Sequence, residues 1–277
     1  MTTELEIFSK TFEDKTPNTQ RSYISQYKKL NKLLGKDIAD VSQTIIIAKI
    51  ADLPNLNSRQ ALLNIGIAIH RNAGQEVDKL VDRRDKNKEH LKEAVKDTNL
   101  KLQATLPSYE KIVDFTDNLF EIGNYKDFII NWLLLNYQVR NVDLNFDIVM
   151  KKRDANDTTK NYIWLGRNKV VYIRNVYKTA ATYKQKVYTI TDARVIVALK
   201  RIKAHQKHGD GAGTFIPNEN QVGYYVMNAT YDRIGEGAMF KIVVNHFRSN
   251  LQKIKEIGEH RGTSVDTILS NYDIDNV

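Results

Sequence analysis

Several residue types that build particular functional sites are missing or rare in this sequence. The 277-residue chain contains no cysteine, so it can form no disulfide, no thiolate metal site and no cysteine nucleophile. Its six histidines show no His-Glu-x-x-His or similar spacing, which argues against a zinc enzyme. No apolar run approaches the about 18 residues of a membrane-spanning helix, and the first residues lack the apolar segment of a signal peptide. We therefore expect a protein that needs no metal or other cofactor and is not secreted, located in the cytoplasm or nucleoid, or in a nucleus.

The composition that remains is that of a basic, globular protein. Lys and Arg number 42 against 33 Asp and Glu, giving a formal net charge of +9. Such an excess favours a polyanionic partner, because each phosphate that a protein neutralises releases counterions. Hydrophobic residues make up 42% of the chain, which is enough for a packed core. At roughly 150 residues per domain, the length predicts about two domains.

The spacing of apolar residues divides the chain into three segments. Thr16 and Pro17 form a helix-start signal, and apolar residues then recur at steps of three and four as far as Gly74. Residues 78–105 lack glycine and proline and are dense in charge, which is typical of a solvated helix or a linker. Leu106-Pro107-Ser108 is a second helix-start signal. The sequence therefore predicts a helical domain over residues 1–77, a charged helix or linker over 78–105, and a second domain over 106–277.

The second domain also contains a short stretch with strand character. Tyr162–Leu165 and Val170–Ile173 flank Gly166-Arg167-Asn168, which predicts a β-hairpin, and Lys186–Ile190 is a third strand candidate. Helical spacing surrounds these strands on both sides. The predicted fold class is therefore mainly α with a small antiparallel β-sheet (α+β).

Four short motifs follow one another in this second domain. Arg140 ends an apolar helix and is followed three residues later by Asp143, and Lys178 lies between two strand candidates. Asn245-His246-Phe247-Arg248 and the stretch from Gly262-Thr263-Ser264 to Tyr272 come later. Taken singly, each motif also fits ordinary surface residues. Their order is more specific than any one of them.

In this order the motifs resemble those of the tyrosine recombinase (phage integrase) family. The resemblance covers nearly the whole chain, because the segment from Thr16 to Gly74 is similar to the helical core-binding (SAM-like) DNA-binding domain of that family. It implies a tyrosine-recombinase-like catalytic domain and a site-specific recombinase or integrase that breaks and rejoins DNA without metal or ATP. The partner would be double-stranded DNA. Whether the protein forms a dimer or a tetramer on that DNA stays open.

The resemblance also implies a role for each matched residue. Arg140 and Arg248 match the two catalytic arginines, Asp143 the acidic residue that supports the first of them, Lys178 the hairpin lysine, and Tyr272 the nucleophile. This set is consistent with the chemistry. Paired guanidiniums bind phosphate oxygens, and a lysine can protonate the leaving 5′ oxygen. Tyrosine has a pKa of about 10, so it needs activation by nearby cations or a base. The product would be a 3′-phosphotyrosyl intermediate.

Two positions depart from the family pattern. Asn245 stands where the family usually has the His of a His-x-x-Arg motif, and Thr263 replaces a His or Trp that contacts the phosphate. His246 is displaced by one position and His260 by three, and we expect them as supporting residues. Two alternatives therefore stay open: a DNA-binding clamp with weakened chemistry, and a DNA-relaxing enzyme similar to topoisomerases.

Basic residues outside these motifs are candidates for contacts with the DNA backbone. Arg83 and Arg84 lie in the charged connector, where they would follow the duplex. Lys200 and Arg201 lie near the end of a predicted helix, where the helix dipole alone also favours cations.

Overall fold

The computed structural model describes residues 3–206, 213–216 and 221–272. By its internal contacts the chain divides into two compact units, Met1–Thr98 and Asn99–Val277. The residues predicted as a charged helix or linker contain one long helix, α5 (Asp78–Gln103), and the division falls inside it. That the three predicted segments act as separate domains stays a prediction.

The N-terminal unit is built from helices packed around one apolar core. Pro17 begins the second helix as the sequence predicts, with Thr16 as its cap, because proline has no N–H that the first helical turn would need to satisfy. The core is formed by side chains that are almost completely buried, among them Leu30, Ile46 and Leu62. In addition to α5, the helices are α1 (Glu4–Lys10), α2 (Pro17–Leu34), α3 (Gln43–Ala51) and α4 (Leu56–Asn72).

The C-terminal unit places a small sheet beside a larger set of helices. The central helix, Tyr125–Tyr137, is apolar on most of its surface and packs mainly against the helices Tyr109–Glu121 and Ala193–Gln206. The helices are α6 (Tyr109–Glu121), α7 (Tyr125–Tyr137), α8 (Ala180–Tyr183), α9 (Ala193–Gln206), α10 (Val222–Ala229), α11 (Gly235–Phe247), α12 (Leu251–Arg261) and α13 (Val265–Asn271).

The sheet has four strands, in the order β1-β2-β3-β4. They are β1 (Phe146–Val149), β2 (Asn161–Leu165), β3 (Val170–Arg174) and β4 (Lys186–Ile190). Strands β2, β3 and β4 are antiparallel, and in this register Arg174 lies opposite Lys186. All five residues of β3 are buried, so this strand runs through the core.

The predicted fold class, mainly α with a small sheet, is confirmed by this architecture. The three predicted strands are antiparallel as expected, but the sheet as a whole is mixed, because β1, which the sequence does not predict, pairs with β2 in parallel. The two strands of a parallel pair are separated by a long connection, so no turn motif in the sequence predicts their pairing. No helix within the described ranges is both long and apolar enough to span a bilayer.

The start of α6 tests one of the helix-start signals. Ser108 precedes the helix with extended backbone, and its Oγ accepts a hydrogen bond from the N–H of Lys111 at 3.3 Å. We expect Ser108→Ala to lower the free energy of unfolding of this unit by about 1 kcal/mol, because a backbone donor loses its partner. Ser108→Asp retains a capping oxygen and should stay within a few tenths of a kcal/mol of the native protein. Urea unfolding followed by tryptophan fluorescence measures the difference, and equal losses in both variants would contradict the cap.

Candidate functional site

A sharp corner after α7 brings Arg140 and Asp143 together. The N–H of Arg140 donates to Asp143 Oδ2 at 2.7 Å, so the two residues close a short turn of 3-10 helix over Asn141–Leu144. Asp143 is completely buried, and its backbone oxygen accepts a hydrogen bond from the hydroxyl of Tyr172 at 2.7 Å. The carboxylate thus holds the backbone from which the half-buried Arg140 side chain projects.

Arg174, at the end of β3, is the second arginine of this region. Its side chain is 0% exposed, and its Nη2 pairs with Asp143 Oδ2. Its Nη1 donates to the backbone oxygen of His260 at 2.7 Å. Burial raises the pKa of the Asp143 carboxyl, and the Arg174 guanidinium opposes that rise. Asp143 is therefore held by two cationic residues from different elements.

Arg261, the last residue of α12, completes the group of arginines. Its Nη1 donates to the backbone oxygens of Gln138 and Val139 at 3.1 and 3.0 Å, and its guanidinium lies 4.3 Å from the ring centre of Phe240. Its Nη2 pairs with Glu236, in the first turn of α11. Arg140 in turn donates to the backbone oxygen of Arg261 at 2.6 Å.

Lys186, at the start of β4, contributes a fourth cation. Its Nζ donates to the backbone oxygen of Glu259, lies 3.4 Å from that of His260, and is 5.2 Å from the ring centres of Tyr177 and Tyr183. Burial, together with the charges of Arg174 and Arg140, lowers the pKa of Lys186 to about 8. We call Arg140, Arg174, Lys186 and Arg261 the basic cluster.

The basic cluster has more positive charge than its own carboxylates neutralise. Four cationic side chains face three carboxylates: Asp143 and Glu236, which pair with Arg174 and Arg261, and Glu259, whose charge acts on Lys186. Burial, followed by the neighbouring Arg261, lowers the pKa of Arg140, which reflects the same crowding of positive charge. Since like charges in a partly buried site repel, an additional anion bound there is stabilised.

The lowered pKa of Lys186 predicts unusual reactivity. An amine that titrates near 8 is half neutral there, whereas an ordinary lysine amine titrates near about 10.4. We expect labelling of Lys186 by an amine-specific reagent, read by peptide mass spectrometry, to reach half of its maximum near pH 8. In urea the midpoint should move to about 10.4, because unfolding removes both the burial and the neighbouring guanidiniums. Identical midpoints in the folded and unfolded protein would contradict the arrangement.

Lys178 lies beside the basic cluster but is not part of its contacts. Its side chain is exposed in the turn that follows β3. The residues on either side of it face the site: Thr179 Oγ1 donates to the backbone oxygen of Gly262 at 2.9 Å, and Tyr177 packs under Lys186. Gly262 has φ +66°, and a Cβ there would lie 2.5 Å from Thr179 Oγ1, so this approach requires glycine.

Tyr272 is one aromatic ring away from the basic cluster. It follows α13 directly and is half-buried, with its ring edge-on to Phe240 at 4.7 Å between centres. Phe240 also lies under the guanidinium of Arg261. Ser264 caps α13 and so fixes the approach of this helix, with its Oγ accepting from the N–H of Thr267 at 3.2 Å.

The structure does not bring Arg248 to Arg140. Helix α11 begins next to the basic cluster, where Glu236 meets Arg261, and Arg248 lies at its other end. The 12 residues from Glu236 to Arg248 correspond to ~18 Å along a helix axis, which is beyond the reach of one side chain. Asn245 and His246 lie at the same far end, where His246 stacks on Tyr109 at 4.1 Å and its Nδ1 lies 3.3 Å from Glu110 Oε1.

His260 and Thr263 lie close to the basic cluster, and their supporting role stays a prediction. The ring of His260 packs against Tyr137 and Tyr188, and its Nδ1 is 3.1 Å from Gln138 Oε1. Burial lowers the pKa of His260, so its ring is neutral at pH 7. Thr263 is half-buried, and its N–H donates to the backbone oxygen of Gly258 at 3.0 Å.

The remaining predicted DNA contacts lie on helix surfaces. Arg83 and Arg84 are half-buried on α5, where Arg84 Nη2 pairs with Asp85 at 2.8 Å. Lys200 and Arg201 are exposed on α9, and Lys200 Nζ donates to the backbone oxygen of Arg167 in the β2–β3 turn at 3.0 Å. Their contact with DNA stays a prediction.

Sequence reasoning missed Arg174, Lys186, Glu236 and Arg261. Arg261 directly precedes the Gly262 motif, and Arg174 ends an apolar strand, which are weak signals for functional residues. Glu236 gives no signal at all, since an acidic residue in the first turn of a helix is ordinary. Across the described part of the chain, no group of three or more His, Asp or Glu side chains is placed to hold a metal ion.

Comparisons with known proteins give a distant structural likeness. No family model matches the chain, and no curated protein matches it. Among solved structures, the chain is similar to XerA recombinase, with 13% sequence identity, a TM-score of 0.38, and coverage of 97% of this chain and 92% of that chain. At this level of similarity no residue role passes from one chain to the other.

Proposed function

We propose that this protein binds double-stranded DNA and breaks and rejoins its strands through Tyr272, as a site-specific recombinase or integrase does. The observation that carries the proposal is the basic cluster, an unbalanced group of cations lying one aromatic ring away from a tyrosine. Cleavage of a phosphodiester would use both the cations and the tyrosine, because it requires an oxygen nucleophile and positive charge that neutralises the phosphate oxygens.

The contacts of the basic cluster support roles that differ from those that the sequence predicts. We assign the non-bridging phosphate oxygens to Arg140 and Arg261, with Arg261 in the role that the motif order gives to Arg248. Tyr272 Oη would attack phosphorus and form the 3′-phosphotyrosyl bond, giving its proton to solvent, as the bond from phosphorus to the 5′ oxygen breaks. Lys186 is suited to protonate that oxygen because its pKa of about 8 lies close to neutrality, a role that the sequence assigns to Lys178.

The experiment that tests this function is capture of the covalent intermediate. The protein is incubated with a nicked duplex from which the cleaved fragment diffuses away, and products are separated on denaturing gels. We expect a protein–DNA adduct with the native chain and none with Tyr272→Phe. Tyr224→Phe is the matched control, because Tyr224 is 64% exposed on α10 and lies outside the site. The absence of an adduct over a wide range of duplex sequences would overturn strand transfer.

One observation favours a second candidate, a DNA-binding protein without strand-transfer chemistry. Arg248 lies ~18 Å along α11 from Glu236, and Arg261, which replaces it near Arg140, is already paired with that carboxylate. If transition-state donors are lost, the rate falls by about 10²–10³ for each of them, whereas binding to the DNA backbone persists. This candidate predicts retarded DNA on native gels without adduct formation.

For the N-terminal unit we propose a role in holding the duplex. Arg83 and Arg84 on α5 are the residues that we assign to the DNA backbone, and Lys200 and Arg201 on α9 extend the contact on the C-terminal unit. Alanine substitution of both residues in either pair should weaken binding equally for all DNA sequences and reduce its salt dependence, because phosphate contacts carry no sequence information. A change that depends on sequence would contradict these assignments.

A further inference from the structure

The Glu236 carboxylate occupies the position in the basic cluster where an external anion would find hydrogen-bond donors. One of its carboxylate oxygens pairs with Arg261 Nη2, and the other lies 3.4 Å from the backbone N–H of Asn141. A guanidinium together with a backbone N–H is the kind of donor pair that holds phosphate groups in proteins. The carboxylate therefore uses the donors that a bound phosphate would need.

The cations around this position are held in place without Glu236. Arg261 is fixed by the backbone oxygens of Gln138 and Val139 and by the face of Phe240. Arg140 is fixed by its bond to the backbone oxygen of Arg261. Removing the Glu236 carboxylate would therefore free the Arg261 guanidinium and the Asn141 N–H, while the other contacts keep both arginines in position.

Several polar atoms of the basic cluster and of the residues that contact it are left without partners. Asn141 Oδ1, Asp143 Oδ1, Arg174 Nε and Arg261 Nε are buried and make no hydrogen bond to any described residue. Since buried polar groups nearly always find partners, such a concentration indicates a site that is completed by another species. The two guanidinium atoms, Arg174 Nε and Arg261 Nε, are donors that an anion can satisfy, whereas the oxygens of Asn141 and Asp143 are acceptors that need a donor such as water.

The backbone that leads into Glu236 is in an unusual conformation. Asp232, Arg233 and Gly235 all have positive φ, at 48°, 56° and 71°. Left-handed backbone at residues other than glycine costs about 1 kcal/mol or more, and such strain is typical of segments that switch between two arrangements. Asp232 and Arg233 are also exposed, so a rearrangement of this segment meets little packing.

We propose that Glu236 is an internal competitor for the phosphate position of the basic cluster, displaced from Arg261 when a phosphate of the DNA binds. The identity of the anion rests on the proposed function. The competition itself rests on the contacts of Glu236. Because Glu236 must be displaced, a duplex binds at the basic cluster only when its other contacts with the protein supply enough binding free energy.

The test compares two variants that remove the same charge. Glu236→Gln frees Arg261, whereas Glu256→Gln removes a carboxylate that is 44% exposed and pairs with Lys253 at 3.0 Å on α12. Binding of a fluorescent duplex is measured by anisotropy at fixed salt. We expect Glu236→Gln to tighten binding by about tenfold or more, because a charge-assisted competitor is removed, and Glu256→Gln by no more than about twofold.

Inorganic sulfate provides a measurement that does not depend on DNA. We expect sulfate to raise the melting temperature of Glu236→Gln at concentrations about tenfold lower than those required by the native protein. If Glu236→Gln does not fold, Glu236→Asp replaces it, since the shorter carboxylate keeps the charge but withdraws from Arg261. A gain of intermediate size is then expected.

The outcomes separate this inference from the proposed function. Equal gains in Glu236→Gln and Glu256→Gln, or no gain in the folded variant, overturn the competition, even where the native protein forms the Tyr272 adduct. A gain in sulfate affinity confined to Glu236→Gln supports the competition, even where no adduct forms with any duplex.

Discussion

Replacing Arg174 by alanine is expected to lower the free energy of unfolding of the C-terminal unit by about 3–5 kcal/mol. Both Arg174 and Asp143 are 0% exposed, so the variant leaves a buried carboxylate without the cation that faces it. The backbone oxygen of His260 loses the shorter of its two hydrogen bonds in the same step and keeps only the one from Lys186 Nζ at 3.4 Å. Since domains are stable by only about 5–15 kcal/mol, this single change removes a large part of the total.

Tryptophan fluorescence reports this loss directly. The chain has two tryptophans, Trp132 and Trp164, and both lie in the C-terminal unit, so a urea titration follows the unfolding of that unit. Arg194→Ala is the matched control, because it breaks another Arg–Asp pair, with Asp117 at 2.6 Å, whose side chains are 40% and 47% exposed. We expect a cost below about 1 kcal/mol for this control.

The deficit of the Arg174 variant also depends on pH. Without the guanidinium, burial raises the pKa of Asp143 further above its unfolded value of about 3.9, so the folded variant takes up a proton. A folded pKa above the unfolded one gives a contribution that is complete below pH about 4 and is lost as the pH rises through the folded pKa. The deficit relative to the native protein should therefore grow from acid to neutral pH. A deficit that shrinks over this range would contradict the assignment of the buried carboxylate.

The double variant Arg174→Met with Asp143→Leu distinguishes the value of the pair from the cost of breaking it. With both charges removed, no uncompensated ion is left, and the loss should be smaller than that of Arg174→Ala alone. A double variant as unstable as the single one would show that the hydrogen bonds to His260 and Arg140, rather than charge burial, dominate.

Local features of this fold were predictable from the sequence because they depend on neighbouring residues. The β2–β3 hairpin follows from two strand-forming stretches around Gly166, and the starts of α2 and α6 follow from Thr16-Pro17 and Ser108. Strand β1 was not predicted, since its parallel pairing with β2 depends on a long connection rather than a turn.

The candidate site was less predictable because its contacts join distant parts of the chain. Arg140 and Asp143 were identified, since they lie three residues apart and form one turn. The partners of Arg261 are Glu236, 25 residues earlier, and Gln138, 123 residues earlier, and no spacing rule connects them. Arg248 was selected by motif order, which does not specify at which end of α11 the rest of the site lies.

Alanine at Arg140 and at Arg248 should therefore have very different effects on strand cleavage. Arg140 lies in the basic cluster, next to Arg261. Under the proposed function, its loss removes a guanidinium that would stabilise the developing phosphate charge. We expect Arg140→Ala to slow adduct formation by about 10²–10³-fold, as is typical when one transition-state donor is lost. Arg248→Ala should slow it by no more than about threefold, because Arg248 is exposed at the far end of α11.

The two variants remove the same charge, so a general weakening of DNA affinity affects both alike. Single-turnover measurements at saturating DNA remove that shared effect and leave the chemical step. Arg248→Lys and Arg140→Lys extend the comparison: lysine keeps the charge but loses the fork geometry, so only the change at Arg140 should be costly. If Arg248→Ala proves as slow as Arg140→Ala, then the end of α11 with Asn245 and His246 takes part in the reaction, and the assignment of Arg261 to the phosphate is wrong.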